Sequence, residues 1–369
     1  MTARILALNS GSSSVKFRLV ETGSERTLAA GLVERVEAGG HGDAIARVLA
    51  ELPEGPIDAV GHRVVHGGAD FTAATAIDAR VEERIDALAE LAPLHNPPAL
   101  AGIRAAREAL PGVPGVAVFD TAFHADLPAA ARTYAIDRDV AQRHGIRRYG
   151  FHGISYRYVS AETARFLGRP LAELRMIVLH LGNGASAAAI DGGRSVDTSM
   201  GFTPLEGLVM GTRGGDIDAG ALIHLLRAGM TVDEVDELLQ RGSGMRGLAG
   251  SADLRDVLAA ADGGDDAARL ALDVYVHRLR RYIGAFAAVL GRLDAVVFTA
   301  GVGENNALVR ERTLAGLDLL GLAVDPARNA SSDRDARAIS PDGSTVPVLV
   351  IPTDEEREIV RQAAEVVGL

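Results

Sequence analysis

The sequence predicts an α/β fold built as two related halves, and three observations carry that prediction. Short apolar runs of strand length alternate with segments whose apolar residues recur at helical spacing. The 369 residues exceed what one hydrophobic core ordinarily organises, which calls for two domains. A strand, small-residue loop, strand layout at the start of the chain recurs near its middle.

The first copy reads ILAL (5–8), NSGSSS (9–14) and VKFRLV (15–20), and the second reads MIVLH, LGNGAS and AAAI over 176–190. Between them, VEERIDALAELA (81–92) and ALAGIRAAREAL (99–110) have helical spacing, and VAVFD (116–120) is a buried strand ending in an acid. In the second half, Val276, Leu279, Ile283, Phe286 and Leu290 form one stripe of a helix over 273–290. DAVVFTAG (294–301) and PVLVIP (347–352) read as strands. Thr353 with Glu356 three residues on predicts a capping box at the start of a terminal helix. The glycine-rich stretches 37–43 and 262–266 read as surface loops. The expected division is residues 1–150 plus the terminal helix 356–369 as one domain and 151–355 as the other, with the boundary near Tyr149–Phe151.

Composition narrows the function. With no cysteine, disulfides, thiolate nucleophiles and cysteine-ligated metal centres are excluded. A formal net charge of −11 argues against nucleic acid as a partner but leaves room for a small anionic substrate held by a local cluster of donors. No run has the length of a signal peptide core or a membrane span, so no membrane association and a cytoplasmic location are expected. Of the 38 basic residues only Lys16 is lysine. A compact, rotatable charge at that point, just after a serine-rich turn, suits a phosphate oxygen better than a planar guanidinium does.

The candidate chemistry lies at strand ends. NSGSSSVK offers a glycine, hydroxyls, an asparagine and Lys16, and is not a Walker A loop. HLGNGAS (180–186) and FTAGVGEN (298–305) also follow buried strands, where ligands sit in α/β sheets. Each alone could be a plain turn; three together point to a nucleotide site. In GHRVVHGG, His62 and His66 lack a third ligand and read as packing histidines. Arg63 within the strand wants a carboxylate or phosphate, and a structural salt bridge satisfies it equally. Asp120 ends a strand in VFDTAFH, where it either holds a metal, orients a ligand or caps a helix. His152 sits in YGFHGIS, and the glycine-dense stretch 201–220 implies a shaped loop around Arg213, for which a solvated surface position is the alternative.

LNSGSSSVK, GHRVVHGG, LAPLHNPP, VFDTAFH, YGFHGIS, HLGNG, DTSMGFTPLEGLVMGTRGGDID, FTAGVGEN and IPTDEE, in this order, resemble the acetokinase family of the sugar kinase, heat-shock-70 and actin superfamily. The resemblance runs from Asn9 to the terminal helix. It implies duplicated ribonuclease-H-like (actin-like ATPase) domains with a nucleotide cleft between them. It implies reversible transfer of the ATP γ-phosphoryl group to acetate, giving acetyl phosphate and ADP, with Mg2+ (or Mn2+) as cofactor, in a homodimer.

It also implies residue roles. Ser12, Ser14 and Lys16 would contact phosphate, and Asn9 and Glu355 would lie on the metal side; Glu355 is preferred over Glu356 because the capping box occupies the latter. Arg63, Arg213, His152 and Asp120 would serve catalysis, the arginines binding carboxylate and transferring phosphoryl group. Arg63, Val65, Leu94, Phe151 and Pro204 would bind the acyl substrate. His180, Leu181, Gly182, Asn183, Gly184, Asp253, Leu254, Arg255, Gly301, Val302, Gly303, Glu304 and Asn305 would hold ATP. Two departures stand out: Tyr156 replaces a common histidine, and the chain is trimmed around 21–45, which touches peripheral structure.

These residue types suit the reaction. A carboxylate nucleophile has a pKa of about 4.3 by analogy with glutamate and needs no general base. Asp120 is therefore expected to orient metal-bound groups. The obstacle is repulsion between two anions, which fixed cations and positioning overcome. The expected path is direct in-line attack. The nearest rivals are a propionate or butyrate kinase and a non-catalytic nucleotide switch; the latter has no need of Arg63, Arg213, His152 and Asp120 together.

Overall fold

The computed structural model describes residues 2–11, 13–37 and 39–369. They form two compact units: Met1–Ala125 with Phe151–Tyr158 and Asp354–Leu369, and Asp126–Gly150 with Val159–Thr353.

The first unit holds β1 (Arg4–Ser10), β2 (Ser14–Glu21), β3 (Arg26–Glu34), β4 (Ala59–Val64), β5 (Thr75–Ala76) and β6 (Gly115–Phe119). They form one mixed sheet in the order β3-β2-β1-β4-β6-β5. β1 to β3 are an antiparallel meander, β4 and β6 run parallel to β1, and β5 closes the edge antiparallel. Strand β1 feeds both faces because successive side chains alternate. Leu6 and Leu8 join Phe17, Leu19, Ile45 and Val48 on one side; Ile5 and Ala7 join Val116, Val118, Ile359 and Val360 on the other. The second face is covered by the C-terminal helix Glu355–Val367, and Gly61 in β4 is small where Ile359 presses on it.

The second unit repeats this plan with β7 (Arg175–Leu181), β8 (Ala185–Asp191), β9 (Arg194–Thr198), β10 (Ala295–Thr299), β11 (Arg337–Ala338) and β12 (Val348–Val350). Read from the meander edge the order is β9-β8-β7-β10-β12-β11, with the same parallel and antiparallel relations at each step. The duplication visible as two strand–loop–strand strings therefore extends over two whole sheets. The 25-residue helix Asp266–Leu290 buries Val276, Leu279, Ile283, Phe286 and Leu290, the stripe read from sequence, and Asp265 caps its start by accepting from the Ala268 amide.

Two local expectations are corrected. The stretch 37–43 is not only loop, since the helix His41–Ala50 begins within it. The terminal helix has no capping box at Thr353. Its cap is Asp354, which accepts from the Arg357 amide at 3.0 Å. Thr353 instead gives its N–H to the Glu304 carboxylate, and Glu356 is drawn to Lys16, so neither is free for the reciprocal bonds a box needs.

Candidate active site

In the first unit, parallel β4 and β6 bring Arg63 and Asp120 together at their carboxyl ends, and the Asp120 amide bonds back to the Val64 carbonyl at 3.0 Å. Arg63 donates to Asp120 from Nε (3.1 Å) and Nη2 (2.8 Å), and its Nη1 lies 3.1 Å from Glu355. One guanidinium thus serves two carboxylates. Burial holds the Asp120 carboxyl above its usual range, up to about 6; Arg63 opposes this, and the Glu355 charge adds to it. For Arg63, burial works against its charge, and the two acids more than restore it.

The acidic run at the start of the terminal helix is distributed among three cations: Asp354 to Arg18 (2.6 Å), Glu355 to Arg63, and Glu356 to Lys16 (2.7 Å). Lys16 stands opposite Asn9 in the β1–β2 register, which puts the two on one face of the hairpin. Lys16 remains half exposed, whereas Glu356 is buried. Ser14 opens β2, and Ser12 lies outside the described residues.

Phe151 is buried, with its ring edge-on to His66 at 5.4 Å and its carbonyl 3.0 Å from His124 Nε2. His152 follows with φ +59, an uncommon conformation for a side-chain-bearing residue that marks a held position. Gly153 donates to the Asp120 carbonyl at 2.9 Å, and a Cβ there would overlap that oxygen, so only glycine lets the His152 and Asp120 backbones approach this closely. Val65 is part-buried and Leu94 is exposed. Tyr156 is fully buried between Phe123 and His124, an apolar support where the resemblance leads one to expect histidine. His62 is buried and kept neutral, its pKa lowered to about 3 by burial, and His66 Nδ1 accepts from the Gly68 amide.

The second unit carries a cavity of about 630 Å³, of the size small-molecule sites use. Gly182, Asn183, Asp253, Leu254, Arg255, Gly301, Val302 and Asn305 of the expected nucleotide set line it. His180, Leu181, Gly184, Gly303 and Glu304 are not among the residues that line it. Residues 300–305 are a short helix and not a loop. Glu304 folds back to accept from the Ala300 amide (2.8 Å), where Ala300 has φ +65, and from Thr353. Fully buried Arg310 donates to the carbonyls of Gly303 and Glu304, both at 2.9 Å, completing the end of that helix. Asp253 caps the helix Leu254–Asp262 and clamps Arg255, which lowers the Asp253 pKa to about 2.

The cavity is also lined by Gly211, Met245, Ala252, Tyr275 and Asn306, which sequence reasoning missed. Gly211 had a signal, since it lies in the glycine-dense stretch; its N–H meets the Asn183 carbonyl at 3.0 Å, and a Cβ would overlap the Asn183 side chain. Met245 and Tyr275 sit within helices and offered none.

Arg213, from the same stretch, is part-buried and donates from Nη1 to the Pro204 carbonyl at 3.0 Å. Among the described residues no carboxylate pairs with it, and burial alone lowers its pKa. An arginine withdrawn from water without a counter-charge is costly unless an anion completes it.

The combination defines a class: a duplicated two-sheet α/β protein with a cavity of small-molecule size in one half and an arginine–carboxylate cluster in the other. Comparison with known proteins makes it specific. The Acetokinase family model matches residues 40–361. An acetate kinase of Leifsonia xyli subsp. xyli is 56% identical, with 99% of each chain covered. The crystal structure of Porphyromonas gingivalis acetate kinase superposes with TM-score 0.94 at 39% identity, covering 99% of this chain and 100% of that one. A propionate kinase from Francisella tularensis gives TM-score 0.90 at 37% identity, covering 98% and 99%. The chain belongs to the acetokinase family and is a kinase with that family's duplicated two-sheet α/β fold.

Proposed function

We propose that this chain transfers the γ-phosphoryl group of ATP to acetate, reversibly, by direct in-line attack of the carboxylate. The observation that carries the reading is Arg213, a part-buried cation with no carboxylate partner among the described residues. Arg213 and His152 are assigned to the transferring phosphoryl group, and Arg63 to the acceptor carboxylate. Val65, Leu94, Phe151 and Pro204 are assigned to the acceptor's methyl group. ATP is assigned to the cavity of the second unit, and its phosphates also to Ser12, Ser14 and Lys16. The domains are assigned as 1–150 with 356–369 and 151–355, whereas the compact units put 126–150 in the second and 151–158 in the first.

A divalent cation fits the first unit. Asp120 and Glu355 crowd two hard oxygen donors around one arginine; burial raises the Asp120 pKa, and the Glu355 charge adds to it. Among the described residues no cluster of three metal-binding side chains exists, which suits Mg2+, since it takes one or two carboxylates and completes its shell with water and phosphate. Asp120, Glu355 and Asn9 would hold it, and it would supply charge neutralisation to the phosphates. Asp120 then orients groups and abstracts no proton, because the acceptor is already ionised at neutral pH.

Among the described residues no helix is long and apolar enough to cross a membrane. We place the enzyme in the cytoplasm, where ATP is available, with no nucleic-acid partner. We also assign it a homodimer: in the helix Ala219–Arg227 no residue is buried, and Ile223 and Leu226 face out. Propionate is the expected second substrate, because one methylene is discriminated by only about 1–3 kcal/mol. The test is acyl phosphate formation from ATP and Mg2+ with acetate, propionate and butyrate. Acetate is expected to give the highest kcat/KM, and no acyl phosphate with any of them would refute the reading.

A further inference from the structure

The loop that carries Pro204 is braced by a polar cluster that none of the assignments above uses. Arg148 donates from Nη1 to three successive carbonyls, Thr198 (3.1 Å), Ser199 (3.3 Å) and Met200 (3.0 Å). Its Nη2 meets Glu206 Oε1 at 2.6 Å. The other oxygen of Glu206 accepts from the Tyr134 hydroxyl, which itself accepts from the Phe202 amide at 3.0 Å. A Cβ at Gly201 would overlap both the Glu206 carboxylate and the Tyr134 hydroxyl, so the chain is wrapped tightly around the cluster. Residues 198–202 and 206 are thus tied to one point. The span they bracket presents the Pro204 carbonyl to Arg213 at 3.0 Å.

We infer that Arg148, Glu206 and Tyr134 are positioning residues for the transfer step, fixing the Pro204 carbonyl and through it the guanidinium of Arg213. The inference rests on the kinase reading. The cluster's chemistry favours rigidity: a carboxylate shared between an arginine and a phenol is a charge-assisted network whose members restrain one another. Burial and the Glu206 contact both hold the Tyr134 hydroxyl in its protonated, donating form. None of the three lines the nucleotide cavity, so loss of the brace should be felt by acetate and turnover and not by nucleotide. A general structural role would instead weaken both.

The experiment compares Glu206→Ala and Tyr134→Phe with wild type, measuring kcat and KM for acetate alongside the Kd for ADP by calorimetry. Glu206→Ala is expected to lower kcat/KM for acetate by about 10-fold or more, and Tyr134→Phe by about 3-fold, with ADP affinity within about twofold, since small misplacements near the reacting groups are costly. Should Glu206→Ala not fold, Tyr134→Phe decides the matter. The inference is overturned if the folded variants stay within about twofold in kcat/KM for acetate, or if ADP binding weakens in parallel. A wild-type enzyme that binds ADP yet makes no acyl phosphate would overturn the kinase reading and this inference with it, a result distinct from either of those.

Discussion

The two units share one strand order and differ in what their strand ends carry. At the carboxyl ends of β4 and β6 the first unit places Arg63 and Asp120, joined by Glu355 from the start of the terminal helix, so that one guanidinium faces two carboxyl groups. At the corresponding ends of β7 and β10 the second unit places glycines and a cavity of mixed polar and apolar lining, with Glu304 and Arg310 tied into backbone bonds. A duplicated scaffold thus takes opposite roles by changing a handful of residues at its ligand-facing edge. The first half is assigned to small charged groups. The second is assigned to a larger, partly apolar ligand.

The largest expected effect falls on Arg213, which belongs to the second unit yet is assigned to chemistry and not to nucleotide. Arg213→Ala should lower turnover by about 10²-fold or more, by analogy with other lost transition-state donors, while ADP binding persists. Steady-state rates with calorimetry check it, and near-normal turnover would remove Arg213 from the mechanism.

A smaller effect sharpens the contrast on the first unit's side. The Asp120 pKa in the folded protein lies above its unfolded value, so between about 3.9 and about 6 the folded state binds more protons than the unfolded state. The stability contributed by protonated Asp120 is therefore lost as pH rises through that window. Urea unfolding in metal-free buffer should show this decline in wild type and its absence in Asp120→Asn. The same slope in both would place the charge strain elsewhere.

Much of this division was legible in the sequence, because strand ends announce themselves. ILAL, MIVLH and DAVVFT are apolar runs that stop at small residues, and that pattern marks the ends of β1, β7 and β10. What escaped was set by tertiary partners. Thr353 and Glu356 spell a capping box, yet Glu304 takes the Thr353 amide and Lys16 takes Glu356, so Asp354 caps instead. Lys16 was read for phosphate alone, and its partner lies 340 residues away in the chain. GVGE looked like a turn because two glycines disfavour helix, and the bonds from Glu304 and Arg310 overrule that preference. Met245 and Tyr275 reach the cavity from within helices, where an amphipathic pattern reads only as core.

The division of labour is tested most directly by ADP calorimetry on Gly211→Val and Arg63→Ala, run beside acyl phosphate assays of the same samples. Gly211→Val puts side-chain atoms against Asn183 at the cavity wall and should abolish ADP binding. Arg63→Ala should retain ADP affinity and form almost no acetyl phosphate. An Arg63→Ala protein that loses ADP binding, or a Gly211→Val protein that keeps it, would contradict the account.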